Sequence, residues 1–119
     1  MTLREESFVA RLNDLGDLMR VSFGKDGGAI VHFAVQYEAM IAGELKPVVR
    51  YDTAHSFAHR DPLNWDGSTR HWDRMSERPN YRESLSDAIQ DIKTNWRRYR
   101  DDFLRNRESK RADDEPTGA

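Results

Sequence analysis

From Ala29 to Ile41 apolar and polar residues alternate. Val31, Phe33, Val35, Tyr37, Ala39 and Ile41 form one largely apolar set, and His32, Gln36 and Glu38 lie between them. A period of two is that of a half-buried strand. The AGE triplet at 42–44 is a compact turn, and LKPVVRYD reads as the antiparallel partner. Pro47 has no amide hydrogen, so it suits the start or the outer edge of that partner strand. Alternation places Val49 and Tyr51 on one face of it, and Val48, Arg50 and Asp52 on the other.

Farther along the period changes. Leu85, Ile89, Ile92, Trp96, Tyr99 and Phe103 follow one another at steps of four and three, which makes one apolar seam on a long helix. Asn80 and Glu83 have capping-box spacing ahead of it, with Pro79 just outside. Near the N-terminus Phe8, Leu12, Leu15 and Met19 show the same spacing, and Thr2 with Glu5 could cap a helix there. Gly16 ends this helix near Leu15, and LMRVSF, ahead of GKDGG, reads as a short strand. NWDGS carries an Asp-Gly turn signal, and TRHWDRM is a poorly alternating candidate for one more strand. The expected fold is α+β: a small antiparallel sheet of three to four strands, with an N-terminal helix and a long C-terminal helix packed on it. It is expected to occupy residues 1–108, with 109–119 as a disordered charged tail.

Composition narrows the chemistry. A chain of 119 residues has room for one domain. It has no cysteine, which excludes disulfides, thiolate catalysis and cysteine-ligated metal centres. MTLREESF carries acidic residues and does not read as a secretory signal, and no apolar run approaches the roughly 20 residues of a membrane span. A cytoplasmic protein without a membrane partner is expected. The formal net charge of −2 is unevenly spread, since residues 93–111 carry eight basic and three acidic side chains, a local +5. Local charge of that sign can hold a polyanion.

The densest group of chemical side chains is VVRYDTAHSFAHRD, residues 48–61. His55 and His59 are four apart, but Ser56 stands where a helical zinc motif needs Glu, and Pro62 disfavours helix at Asp61. Asp52 and Asp61 could complete a carboxylate–histidine metal site in a loop, at a spacing that is not diagnostic. The alternative is acid–base chemistry on a phosphodiester without a metal. Two histidines can exchange the protons, while Arg50 and Arg60 stabilise charge on the phosphate and Asp52 or Asp61 orients a histidine. No metal or cofactor is expected on this reading. A cluster of salt bridges closing a loop is the competing structural account. The second group is the basic end of the long helix, where Arg97, Arg98, Arg100, Arg105 and Arg107 surround Trp96, Tyr99 and Phe103. Such a surface could hold RNA, and the seam itself could dock a protein partner or a second copy. His32 and His71 stand alone, and Trp65 and Trp72 flank NWDGS.

The segment RYDTAHSFAHRD resembles the signature of a small family of uncharacterised prokaryotic proteins, and the likeness runs from Phe33 to Gly67. Arg50, Tyr51, Asp52, Ala54, His55, Phe57, His59, Arg60 and Asp61 fit that pattern, and Ser56 replaces a glycine. The segment is also similar, more loosely, to the toxins of TumE-type toxin–antitoxin pairs. The matching positions are Arg50, Tyr51, Asp52, Ala54, His55 and His59; Thr53 stands in place of an asparagine, and histidines paired in the toxins are single here. This resemblance implies a strand-plus-histidine scaffold and points to a toxin-like, RNA-acting protein with a cognate antitoxin. The expected activity is a metal-independent ribonuclease. A non-catalytic binding or dimerisation module acting through the 85–103 seam is the alternative.

Overall fold

The computed structural model describes residues 3–54, 57–71, 73–75 and 80–114, with side chains described as far as residue 107. Among the described residues six strands form one antiparallel sheet in chain order. They are β1 (Leu3–Arg11), β2 (Leu18–Asp26), β3 (Ala29–Ile41), β4 (Glu44–Asp52), β5 (His59–Pro62) and β6 (Asp73–Arg74). One helix, α1 (Tyr81–Asp114), lies across β3 and β4. Among the described residues no helix is long and apolar enough to cross a membrane.

The expected architecture is corrected in two respects. There is no N-terminal helix, because residues 3–11 are a strand, and the sheet has six strands rather than three or four. Phe8, Ala10 and Leu12 satisfy a period of two as well as Phe8, Leu12 and Leu15 satisfy a helical one. The choice is made by β2, whose free edge pairs with β1 from Leu3↔Asp26 to Arg11↔Leu18. Pairing with that edge satisfies backbone groups that a helix at this place would leave open. Phe8 and Leu15, two members of the expected apolar helical face, are 47% and 53% exposed. The reversal between β1 and β2 is built on Asn13, whose side-chain oxygen accepts the amides of Leu15 and Asp17, with Gly16 at φ 98°.

The β3–β4 hairpin forms where the alternation places it. Ala42 and Gly43, at φ 53° and 80°, make a two-residue turn whose twist matches the strands. A register shift at Tyr37/Glu38 leaves Val48 as the extra residue beside Pro47. Pro47 is tolerated because β5 pairs only with Val49–Asp52, so the start of β4 is locally an edge. The segment after β4 contains β5, and among the described residues the weakly alternating TRHWDRM contributes the two residues of β6 and a bridge from Thr69 to Leu63.

Asn80 caps α1 through its side-chain oxygen, 3.1 Å from the Glu83 amide. Leu85, Ala88, Ile92, Tyr99 and Phe103 are buried against Met19, Val21, Phe33, Val35, Tyr37, Val49 and Tyr51, with Ile89 and Trp96 half-buried beside them. The seam is therefore the helix half of the protein's own core. The helix runs to Asp114, beyond the point at which its apolar period ends. Residues 115–119 of the expected tail lie outside the described residues.

Candidate functional site

One face of the sheet carries α1. The other carries the polar side chains. Directly opposed residues share a face, so the pairings define rows across the helix-free surface. One row is Ser7, Ser22, Ala34, Asp52, His59 and Arg74; the next is Val9, Arg20, Gln36, Arg50 and Asp61. Small side chains at Ser7, Ser22 and Ala34, with Arg20 and Arg50 beside them, shape an open trough of about 520 Å³ that reaches Asp52.

At the end of this trough Asp52, His59 and Asp61 meet. His59 Nε2 lies 2.7 Å from Asp52 and Nδ1 lies 3.1 Å from Asp61. The His59 side chain is 5% exposed, and the carboxylates are 18% and 13% exposed. The ring of Phe57 stands edge-on to His59 at 5.6 Å, and the Arg74 guanidinium lies 4.6 Å from the Phe57 ring centroid. The two carboxylates approach opposite ring nitrogens. Nδ1 is in hydrogen-bond geometry with Asp61, whereas the approach of Nε2 to Asp52 is a close contact without that geometry. The cluster is a set of two carboxylates and a histidine of the kind that binds metal, but the two carboxylates face different nitrogens of the ring. Arg50 stands next in the adjacent row. Its Nε is 2.9 Å from the Gln36 side-chain oxygen, and no carboxylate pairs with it among the described residues. Arg20, by contrast, is bound to Glu38 at 2.6 Å.

Arg60 belongs to the opposite face. Alternation in β5 turns it under the sheet with Tyr51 and Asp73, where Nη1 donates to the Tyr99 hydroxyl at 2.8 Å and Nη2 to Asp73 at 2.6 Å. There it joins a network around Asp91, which accepts hydrogen bonds from the Tyr51 and Tyr99 hydroxyls and from Asn95 at 2.7 Å. Burial opposes the charge on Asp91, yet these three donors outweigh it and hold the carboxyl below its ordinary range. Burial, followed by the hydrogen bonds to Asp91 and Tyr99, pushes the Tyr51 hydroxyl far above its ordinary 10.0. Burial works against the charge of Arg60, and Asp73 and Tyr99 more than restore it, so its pKa is raised. The hydrogen bond from Arg60 lowers that of Asp73. A second cavity of about 420 Å³ opens over this network, lined by Tyr51, Arg60, Arg74, Met75, Asp87 and Asp91.

The family model described as "Domain of unknown function (DUF7718)" matches residues 2–109. The chain belongs to this family. No curated protein and no solved structure matches it. Family membership thus covers nearly all of the sheet and the helix, including every side chain of both clusters, and assigns none of them a role.

The structure brings together four of the six residues expected to form a catalytic group: Arg50, Asp52, His59 and Asp61. It sets Arg60 on the other face, and His55 lies outside the described residues, as does Trp72. The five helix arginines do not form one surface. Arg100 is bound internally, with Nη2 3.2 Å from the Met40 carbonyl oxygen and Nε 3.4 Å from Asp17. Arg105 pairs with Asp102 at 2.6 Å, and Arg107 stacks over Trp65 at 4.2 Å. Arg97 and Arg98 are exposed and lie over the rings of Trp96 and Tyr99. His32 is bound to Glu5 at 2.8 Å across Gly24, where a Cβ would come within 2.3 Å of the imidazole. Sequence reasoning missed Asp17, Arg20, Asp73 and Asp91. For Asp91 a signal existed, because Asp91, Asn95 and Tyr99 stand four apart and form a polar line beside the seam.

Proposed function

We propose that the protein is a toxin-like, RNA-acting protein whose substrate face is the helix-free side of the sheet. The observation that supports this reading is the juxtaposition of Arg50, Asp52, His59 and Asp61 on one surface beside an open trough. Arg50, held by a neutral glutamine, offers its planar guanidinium to a phosphate oxygen. His59 is the proton donor. When a substrate oxygen takes the place of Asp52 at Nε2, the ring can pass that proton to the leaving 5′-oxygen as the bond from phosphorus to it breaks. Asp61 keeps the ring oriented through Nδ1. The incoming nucleophile is the adjacent 2′-hydroxyl, and its base is not among the described residues; His55 is the residue the sequence offers for it. The chemistry uses no metal. On this reading the protein works in the cytoplasm, and a cognate antitoxin would cover the same face.

Cleavage and binding of a short single-stranded RNA test the reading. Arg50→Ala is expected to weaken binding about tenfold and to lower the salt dependence by about one phosphate contact. His59→Asn is expected to reduce cleavage about 10²- to 10⁴-fold with binding little changed. Chelator should leave the wild-type rate intact. Wild-type protein that is folded yet neither binds nor cleaves RNA would exclude this function.

A further inference from the structure

We infer that two copies of this chain associate edge to edge through β1, antiparallel and centred on Phe8, to make one continuous sheet. The two edges of the sheet differ. β6 is two residues long, which by itself blunts pairing. β1 is nine residues long, is paired only to β2, and is exposed along most of its length. Leu3, Phe8 and Val9 on it are 54%, 47% and 55% exposed. Phe8 continues the buried row of Val21, Val35 and Tyr51 out to the edge, but α1 lies over β3 and β4 and does not cover it.

The sequence of β1 selects the register. In an antiparallel pair, residues whose backbone groups point outward must meet residues of the same kind, so a two-fold axis passes through a residue and not between two. Centring on Glu6 sets Glu6 against Glu6. Centring on Ser7 sets Glu5 and Glu6 against Val9 and Phe8 and pairs no charges. Centring on Val9 pairs only residues 7–11 within the strands and leaves Ser7 against Arg11. Centring on Phe8 pairs residues 5–11, sets Phe8 against Phe8, and places Glu5 opposite Arg11 twice. This is the register in which charge and apolar positions are both self-complementary. It also sets Ser7 opposite Val9 of the second copy. Both line the trough, so on the RNA reading two troughs abut across the axis and can follow one strand of RNA.

Light scattering after size exclusion, over a wide range of concentration, tests the association. Wild type is expected to be a dimer. Phe8→Asp is expected to be a monomer. Glu5→Arg and Arg11→Glu should each weaken dimerisation about tenfold, because each places like charges face to face on both sides of the axis. The double variant Glu5→Arg/Arg11→Glu should regain it. Circular dichroism and the urea midpoint confirm that each variant is folded. A wild type that stays monomeric throughout, a dimer that survives Phe8→Asp, or a double variant no better than either single swap overturns the inference. RNA binding by a monomer would leave the function above intact while removing this interface.

Discussion

Replacing Asp17 by alanine is expected to cost the fold about 3–5 kcal/mol, measured as a shift of the urea midpoint at unchanged m. Asp17 is completely buried. Its Oδ2 accepts the Tyr37 hydroxyl at 2.6 Å, its Oδ1 accepts the Met40 amide at 2.9 Å, and Arg100 Nε lies 3.4 Å away on α1. One carboxylate therefore ties the β1–β2 reversal to the C-terminal end of β3 and to the helix. Alanine leaves a buried hydroxyl and an amide without their acceptor and a guanidinium without its ion-pair partner, and a buried group left unpaired loses more than the bond itself contributed. Such a loss is a large part of the roughly 5–15 kcal/mol that stabilises an ordinary domain. An asparagine in its place would retain an acceptor for the Met40 amide and lose the charge facing Arg100, so Asp17→Asn should fall between wild type and alanine. Arg100→Ala should also destabilise, which a residue serving only to bind RNA would not do. An alanine variant within about 1 kcal/mol of wild type would contradict this account.

The parts of the fold legible in sequence were those with an unambiguous period. Alternation from Phe33 to Ala39 leaves little choice in β3, and the seam from Leu85 to Phe103 repeats over several turns. Val31, expected on the apolar face, is nevertheless exposed, and Ile30 is buried, where the register shifts opposite Gly24/Lys25. In the N-terminal segment Phe8, Leu12, Leu15 and Met19 fit a helix, and Phe8, Ala10 and Leu12 fit a strand. Only the free edge of β2, a tertiary partner, separates the two. The site divides in the same way. Alternation in β4 already sets Arg50 and Asp52 against Tyr51, and the structure shows the same division. β5 has four residues, too few for a period, so nothing in the sequence set Arg60 apart from His59 and Asp61. Charge density along the last helix was equally ambiguous. Arg100 and Arg97 look alike in sequence, but one points at Asp17 and the other at solvent. Asp17 itself reads as an ordinary turn residue, because what buries it is a tyrosine twenty positions away.

Above about pH 10 the protein is expected to lose stability steeply, by about 2.7 kcal/mol per pH unit, and Tyr51→Phe is expected to halve that slope. Two tyrosines are responsible. Burial, then the hydrogen bond to Asp17, raises the Tyr37 hydroxyl well above its ordinary 10.0. Burial and Asp91 do the same for Tyr51. A group with a raised folded pKa keeps its proton in the folded chain where the unfolded chain releases it. Its stabilising effect is complete below the unfolded value and is lost as pH rises beyond it, at about 1.4 kcal/mol per unit for each tyrosine. Both hydroxyls donate to carboxylates, so neither can ionise without setting two negative charges side by side in a buried place. At neutral pH the phenylalanine variant should be less stable by about 1–2 kcal/mol, since Asp91 loses one of its donors. At the acid end the sign reverses. Asp91 is held below its ordinary range, so its contribution is complete above the unfolded carboxylate value and declines as pH falls through the folded one. Tyr37→Phe and Tyr51→Phe separate the two tyrosines, because each keeps the other's share of the alkaline slope, whereas in Asp17→Asn burial still raises the Tyr37 hydroxyl. Urea midpoints followed from about pH 8 to about pH 11 measure both. A midpoint that stays level above pH 10 would mean that the two hydroxyls ionise in the folded chain, and that neither carboxylate accepts from them in solution.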